Sequence, residues 1–294
     1  MRFPAAVVYV IIIAIVVGTL VISGTFQSPG PDLAPAERAD AVAGASPSDP
    51  DTAPGSHNLT GLALPPPHPL DELATIQIGD AEDGIGTAFA INESGAWLTA
   101  RHVVDGCSRV GLAVGNGRMV RVDEVRTSKN SDLALLITDR APVALQLDLE
   151  RELRVGESGY HVGFPQGISG EAASILESRS NLVTRGRYQM EEPVLAWVEK
   201  ARSEGFVGTI SGMSGGPVLD DAGAVIGVTV AESSRRGTIY TASPDSIRRF
   251  LDAQGYLAPG GDARPISTSS YAAEADRLRD AHAVVKVLCR VNHP

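Results

Sequence analysis

From about residue 71 onward, the chain alternates short apolar runs with turn-forming residues, and this spacing constrains its fold more than any other feature. Runs of a few residues match the length of β-strands and are too short for most helices. The chain has 31 glycines and only 6 Phe, as expected of a protein with many turns. The pattern predicts an antiparallel sandwich or a pair of barrels. The predicted strands occupy residues 74–78, 86–91, 96–100, 110–114, 119–122, 132–137, 158–163, 217–219, 224–230 and 237–241.

Two helices are expected near the C-terminal end. Ser243 suits the N-cap position and Pro244 the first helical position, and the helix that they begin ends at Gly255. Residues 271–283 predict a further helix, and the apolar residues 284–291 after it predict one more strand.

The N-terminus has the composition of a membrane segment. Residues 5–22 carry no charge and would span about 27 Å as a helix, close to the hydrocarbon thickness of a bilayer. Arg2 precedes the run, so the positive-inside rule places the N-terminus in the cytoplasm. A cleaved signal peptide is the alternative. The run ends without the small-residue site that signal cleavage requires, so we expect an uncleaved anchor.

A linker follows the apolar run. Residues 24–70 hold ten of the chain's 19 prolines and show no sustained periodicity, so they cannot bury enough surface to offset the entropy of ordering. We therefore expect a cytoplasmic stub and transmembrane anchor over 1–23, and a disordered Pro/Ala-rich linker over 24–70. A folded domain is expected over 71–256, with a C-terminal extension over 257–294 that packs on this domain.

Charge and cysteine content exclude several classes of protein. The net charge of −10 argues against a nucleic-acid-binding protein, because phosphate contacts need clustered Lys and Arg. The two cysteines are too few for a disulfide scaffold and form no Cys-x-x-Cys motif, so neither a metal nor a cofactor is expected. Outside the cytoplasm two cysteines tend to pair, so we expect a Cys107–Cys289 disulfide; two buried free thiols are the alternative.

Three segments carry side chains suited to nucleophilic catalysis. His102 ends an apolar strand, Asp132 comes directly before another, and Ser214 lies in a glycine-rich loop before a third. Each has an ordinary structural interpretation when taken alone, since Asp and Ser-Gly-Gly are common in turns. Together they stand in the order His, Asp, Ser within an all-β pattern, with His161 as the other histidine between residues 71 and 256.

The chemistry explains why these residue types belong together. A serine hydroxyl is a poor nucleophile at neutral pH and needs an adjacent base. Histidine takes and returns a proton near pH 7, and a carboxylate holds its tautomer and stabilises the imidazolium. The glycines around Ser214 let the backbone turn sharply. That turn can aim the N–H groups of Gly212 and Ser214 at one point, an oxyanion hole worth roughly 3–4 kcal/mol per donor.

These motifs resemble those of a known family. The segments 98–104, 131–136 and 212–219 resemble the chymotrypsin-like (trypsin-fold) serine peptidases, in particular compact bacterial members such as the protease domains of the high-temperature-requirement type. The segment 163–167 is similar to a loop of those bacterial forms. The resemblance covers about residues 72–255.

The resemblance implies a fold and a set of roles. It implies an all-β domain of two six-stranded antiparallel β-barrels with a C-terminal helix, preceded here by one transmembrane helix. It implies Ser214 as nucleophile, His102 as general base, Asp132 as orienting carboxylate, and Gly212 with Ser214 as the oxyanion hole. Met213 departs from the family, which usually has Asp or Asn before the serine, so activation through a new N-terminus is not expected.

The same resemblance indicates where substrate would bind. Gly208 should lie at the base of the primary specificity pocket, with Val230, Ala231 and Glu232 along one wall. No acid stands at the predicted base, so we expect small to medium apolar side chains rather than Arg or Lys. Glu232 is interpreted either as a solvated rim carboxylate or as an attraction for a basic side chain.

The sequence therefore predicts a membrane-anchored serine endopeptidase. Its partners would be a protein or peptide substrate and the membrane that holds its N-terminal helix. Its location would be the bacterial inner membrane, with residues 71–256 as a trypsin-like serine protease domain in the periplasm or at the cell exterior. Two alternatives remain: a protease-fold binding or sensing module with little turnover, and an acyl hydrolase. Residues 212–216 form a Gly-x-Ser-x-Gly motif, but the strand-turn-helix context of an acyl hydrolase is absent.

Overall fold

The computed structural model describes residues 61–115, 117–233, 235–256 and 260–292. The predicted anchor over 5–22 lies outside these residues, as does most of the predicted linker. Within the part of the chain that the structure describes, no helix is both long and apolar enough to cross a membrane.

The described residues are mostly β-strand, as the spacing of the apolar runs predicts. The helical segments are a single turn, α1 (Arg101–Val104), then α2 (Pro244–Ala253), α3 (Tyr271–Asp280) and a 3₁₀ turn (Pro165–Gly167). The strands are β1 (Glu72–Ile78), β2 (Gly84–Ala90), β3 (Ala96–Ala100), β4 (Arg109–Ala113), β5 (Met119–Arg121), β6 (Glu124–Thr127), β7 (Leu133–Ile137), β8 (Ser158–Gly163), β9 (Gly170–Gly186), β10 (Met190–Arg202), β11 (Pro217–Leu219), β12 (Val225–Ser233), β13 (Thr238–Ala242) and β14 (Val284–Arg290).

The strands form two seven-stranded sheets. The N-terminal sheet has the order β5-β4-β14-β2-β3-β7-β6, and no pairing within the described chain joins β5 to β6. The C-terminal sheet has the order β1-β9-β10-β13-β12-β11-β8. Pairing of β8 with β9 closes six strands of the C-terminal sheet into a ring, with β1 added at β9.

The expectation of six antiparallel strands in each barrel is corrected by this topology. Each sheet contains six consecutive strands and a seventh from the opposite end of the chain. Strand β1 pairs in parallel with β9 of the C-terminal sheet, and β14 inserts between β2 and β4 of the N-terminal sheet. Because β14 is hydrogen-bonded on both sides, it is an interior strand of the N-terminal sheet.

Strands β6, β9 and β10 were not predicted. The residues of β9 and β10 do not alternate strictly between apolar and polar types, and their burial does not alternate strictly either. Their ladder also contains two irregularities, one of them between Ala196 and Trp197, and Pro193 lies within β10. Proline is normally taken as evidence against an interior strand.

The helix at Pro244 is confirmed, and the Ser243 hydroxyl accepts the Ser246 N–H, as an N-cap does.

The two sheets share a core. Leu98 and Leu135 of the N-terminal sheet belong to the same buried cluster as Val162 and Val228 of the C-terminal sheet. Burial of each such side chain stabilises the fold by about 1.5–3 kcal/mol. The packed faces therefore hold the ends of strands from both sheets next to each other, which is where the candidate site lies.

The disulfide between Cys107 and Cys289 is present, which confirms that prediction. It connects the segment after α1 to β14, and its Cα atoms are 5.5 Å apart. The C-terminal strand is therefore joined to the N-terminal sheet by a covalent bond as well as by hydrogen bonds on both sides.

Candidate active site

Sheet register brings His102 and Asp132 together. Strands β3 and β7 are antiparallel neighbours, and Ala100 at the end of β3 pairs with Leu133 at the start of β7. His102 follows β3 in α1 and Asp132 precedes β7, so both lie at the same end of this strand pair. The His102 N–H donates to Oδ1 of Asp132 at 2.9 Å, and the His102 Nδ1 lies 2.6 Å from Oδ2.

Asp132 is fully buried, and both of its carboxylate oxygens and its backbone N–H make hydrogen bonds. Its Oδ1 also accepts the hydroxyl of Tyr188 at 2.8 Å, and its backbone N–H donates to Oε1 of Glu192 at 2.7 Å. Both partners come from the C-terminal sheet, whereas Asp132 belongs to the N-terminal sheet. The carboxylate is thus held from both halves of the domain.

These surroundings shift the pKa of two groups. Burial lowers the pKa of His102, but the charge and hydrogen bond of Asp132 outweigh it, so that the net shift is upward. Burial, together with the negative charge of Asp132, raises the pKa of Glu192 to about 8. The protonated form of Glu192 is therefore favoured near neutral pH.

Ser214 and His102 line the same cavity. The cavity has a volume of about 280 Å³, and His102, Gly212 and Ser214 are among its lining residues. The Ser214 carbonyl accepts the Thr87 N–H at 2.9 Å, and the Thr87 hydroxyl donates to the Gly212 carbonyl at 2.7 Å. Within the described chain no hydrogen bond joins the Ser214 hydroxyl to His102. Catalytic pairs are often loose before substrate binds.

The loop before β11 leaves two backbone donors free. The Met213 N–H donates to the Ile210 carbonyl at 2.8 Å, and Met213 is buried in the C-terminal sheet's own core cluster. Among the described residues, the N–H groups of Gly212 and Ser214 have no acceptor. Both residues line the cavity, so these two donors are available to a negatively charged oxygen there.

The residues expected to bind substrate lie on two segments. All three residues of the first segment lie on β12: Val230 is buried, and Ala231 and Glu232 are half-buried. Glu232 is not simply solvated, because its Oε2 accepts the Ile210 N–H at 3.2 Å. The carbonyl of Gly208 accepts a hydrogen bond from Arg202.

Several residues of the site were not found from the sequence. Tyr188 lies in the turn between β9 and β10, and Glu192 lies on β10. Neither β9 nor β10 was predicted as a strand. Thr87 lies within a predicted strand, and nothing in its pattern marks it. Gln166 lies in the segment 163–167 that carried part of the family resemblance, which was its one signal. The other histidine between residues 71 and 256, His161, is buried on β8, where its Nε2 lies 2.8 Å from the Ser174 hydroxyl, and it is not among the residues that line the cavity.

The described residues form a two-sheet β fold in which a histidine contacts a buried aspartate and lines one cavity with a serine and two backbone donors that have no acceptor among them. This is the arrangement of the chymotrypsin-like serine peptidases. Comparison with known proteins agrees. Residues 86–228 match the family model of the trypsin-like peptidase domain, so this part of the chain is similar to that family.

Sequence relatives include bacterial serine proteases. A protein of Synechocystis sp. described as a serine protease, HhoA, is 32% identical over 185 residues, which cover 60% of this chain and 44% of that protein. A DegP-like protein of Halomonas elongata, described as a probable periplasmic serine endoprotease, is 27% identical over 154 residues, 52% of this chain and 30% of that protein. The chain thus spans less than half the length of these curated relatives.

Solved structures of proteases also resemble the chain. The active form of the Rv3671c protease from M. tuberculosis matches with a TM-score of 0.49 and 16% identity, over 69% of this chain and 99% of that one.

Proposed function

We propose that this chain is a serine endopeptidase in which Ser214 is the nucleophile, His102 the general base and Asp132 the orienting carboxylate. The observation that carries the proposal is the 2.6 Å contact between the partly exposed His102 and the buried Asp132, with His102 lining the same cavity as Ser214. The periplasmic serine endoprotease described for a relative supports the same reaction class.

The reaction follows from these positions. His102 takes the proton of the Ser214 hydroxyl as its oxygen bonds to the substrate carbonyl carbon, and the carbonyl oxygen gains a negative charge. The N–H groups of Gly212 and Ser214 stabilise that charge. The imidazolium then protonates the leaving amine as the C–N bond breaks, which leaves an acyl-enzyme. Water, deprotonated by His102, attacks the acyl-enzyme, and the carboxylic acid leaves as Ser214 regains its proton.

Substrate would bind along β12 as an added strand, with Val230, Ala231 and Glu232 next to its backbone and Gly208 at the base of the pocket for its side chain. Because Oε2 of Glu232 accepts the Ile210 N–H, this oxygen is less available to a basic side chain of the substrate. Small to medium apolar side chains are therefore proposed for this pocket.

The proposal includes location. An anchor over 1–23 and a linker over 24–70 would hold the protease domain in the periplasm or at the cell exterior. The oxidised Cys107–Cys289 pair is in keeping with such a compartment. Retention of the full chain on membranes through a carbonate wash, with Met1 or its neighbour still present, tests this; a mature N-terminus near 24–30 would show signal cleavage instead.

Labelling with a fluorophosphonate, mapped by mass spectrometry, tests the catalytic assignment. The wild type should be labelled at Ser214, and both Ser214→Ala and His102→Ala should abolish that label. Asp132→Asn should slow turnover by roughly 10⁴, since the imidazole would hold the wrong tautomer. Ser269→Ala, which changes an exposed serine of the C-terminal extension, is the matched control and should label normally.

Two rival functions give different results in the same assay. A binding or sensing module would leave Ser214 unlabelled. An acyl hydrolase would be labelled at Ser214 but would turn over esters without cleaving any peptide in a mixed peptide library. Labelling together with peptide cleavage supports the endopeptidase.

A further inference from the structure

The orienting carboxylate receives a side-chain hydrogen bond from the opposite sheet. Oδ1 of Asp132 accepts the His102 N–H at 2.9 Å and the Tyr188 hydroxyl at 2.8 Å. Asp132 and His102 lie at one end of the β3–β7 strand pair of the N-terminal sheet, whereas Tyr188 lies in the turn between β9 and β10 of the C-terminal sheet. The contact therefore crosses between the two halves of the domain at the candidate triad.

The turn that carries Tyr188 is fixed by further contacts. The Arg101 guanidinium lies over the Tyr188 ring, 3.9 Å from its centroid. The neighbouring Arg187 donates from Nη2 to the His102 carbonyl at 3.1 Å, and its Nε lies 3.3 Å from a carboxylate oxygen of Asp105. The Tyr188 ring is thus held by Arg101 on one face, and its backbone is held by the contacts of the adjacent Arg187. These contacts fix the direction of the Tyr188 hydroxyl.

The phenol stays a donor across the working pH range. Burial, followed by the negative charge of Asp132, raises the pKa of Tyr188 above its ordinary value. A neutral hydroxyl beside a carboxylate makes a charge-assisted hydrogen bond, which is shorter and stronger than one between neutral groups.

We propose that Tyr188 is a positioning residue of the active site: its hydroxyl fixes the rotamer of Asp132 and stabilises the negative charge of the carboxylate that orients His102. This inference rests on the proposed function, because it assigns Tyr188 a part in the same reaction. Tyr188 itself does not touch the reacting atoms. It acts through Asp132.

The direction of the effect follows from charge. Without the hydroxyl, the Asp132 carboxylate is less stabilised and binds the imidazolium more strongly, so the pKa of His102 rises. Less of His102 is then in its basic form at neutral pH, and a freer carboxylate orients the ring less well. Other charged groups lie near the pair, and they stay unchanged in the experiment below. They are Arg101 on α1, Asp105 directly after α1, Arg187 in the turn, Glu192 on β10 and, beyond Glu192, Arg249 on α2. Asp80, Glu82 and Asp83, between β1 and β2, line the same cavity as His102.

Tyr188→Phe in the full-length chain tests the proposal, because it removes the hydroxyl and keeps the ring under Arg101. Tyr160→Phe is the matched control, since the Tyr160 hydroxyl donates to an oxygen of Asp221 at 3.0 Å elsewhere in the C-terminal sheet. The rate of fluorophosphonate labelling is measured from pH 5 to pH 9. The ring of His102 is titrated by NMR over the same range and assigned by comparison with His102→Ala.

In Tyr188→Phe we expect the acidic limb of the labelling profile and the His102 titration to move up by about half a pH unit or more. The plateau rate should fall about tenfold. Tyr160→Phe should overlay the wild type. A Tyr188→Phe profile that keeps the wild-type midpoint, even with a lower plateau, overturns the proposal, since a purely structural role lowers rate without moving the midpoint.

The two proposals fail separately. If wild-type Ser214 is not labelled, the proposed function fails, and the NMR titration still decides the role of Tyr188. An upward shift of the His102 midpoint in Tyr188→Phe supports the link, and an unchanged midpoint refutes it.

Discussion

The backbone N–H of Gln166 donates to the Ser211 carbonyl, with a nitrogen–oxygen distance of 2.5 Å. In a trans peptide the C=O and the next N–H point in opposite directions. A Ser211 carbonyl directed at Gln166 therefore turns the Gly212 N–H the other way, and no acceptor for that donor is found among the described residues. The side-chain amide of Gln166 also donates to the Val207 carbonyl at 2.8 Å. The 3₁₀ turn thus fixes the orientation of the proposed oxyanion hole.

Gly212→Ala should damage catalysis more than folding. Gly212 has φ +98°, and an added Cβ would collide with the Phe164 carbonyl. The loop would have to turn its peptide away, and losing one oxyanion donor costs about 10²–10³ in kcat. Steady-state kinetics should show this loss with a small change in KM. Gly237→Ala is the control, because Gly237 also has a positive φ but open space around it. Equal losses in both variants would contradict the assignment.

Arg279→Met should destabilise the domain strongly. Arg279 of α3 is bonded to Glu171 at 2.6 Å, and both side chains are buried. Removing one partner leaves a buried charge uncompensated, at a cost of about 3–5 kcal/mol. Urea unfolding should show this, and Glu171→Gln added to Arg279→Met should recover part of the loss. The surface pair of Arg248 with Asp245 is the comparison, since Arg248→Met should change stability by less than about 1 kcal/mol.

Glu192→Gln should make stability less dependent on pH. The folded pKa of Glu192, about 8, exceeds the ordinary value of 4.5, so the folded state binds the extra proton between these values. The contribution of Glu192 to the free energy of unfolding of the wild type then falls as pH rises through this window, by up to about 1.4 kcal/mol per pH unit. Glutamine keeps an oxygen for the Asp132 N–H and cannot ionise.

Urea unfolding at pH 5 and pH 8 measures the effect. The advantage of Glu192→Gln over the wild type should grow by about 2–4 kcal/mol between the two pH values. The neighbouring Glu191 is exposed and serves as the matched position. The free energy of unfolding of Glu191→Gln should change between the two pH values by as much as that of the wild type. A constant difference for Glu192→Gln would show that Glu192 is ionised in the folded state.

Removing the disulfide should lower stability through the unfolded state. Cys107 and Cys289 are 182 residues apart, and closing a loop of this length stabilises by about 5 kcal/mol in the chain-entropy description. Replacing both cysteines with Ala should lower the free energy of unfolding accordingly. Dithiothreitol should destabilise the wild type and leave the double variant unaffected. Dithiothreitol sensitivity in the double variant would assign the loss to another cause.

Much of this protein could be predicted from local patterns. The strand β3 reads as the same residues, 96–100, in the sequence and in the structure, because a short buried run between turns has few other conformations available. The positions of His102, Asp132 and Ser214 were also visible, since each stands at a strand end or a glycine-rich turn. These signals are local, and a single sequence contains all of them.

What the tertiary structure decided is which of these segments meet. That β14 inserts between β2 and β4, and that β1 joins the opposite sheet, depends on pairings between residues that are distant in sequence. Tyr188 and Glu192 resemble ordinary hairpin residues until the β9–β10 turn reaches Asp132. Hydrogen bonding, charge and burial there act over a few ångströms in space, whereas the sequence shows only neighbours along the chain.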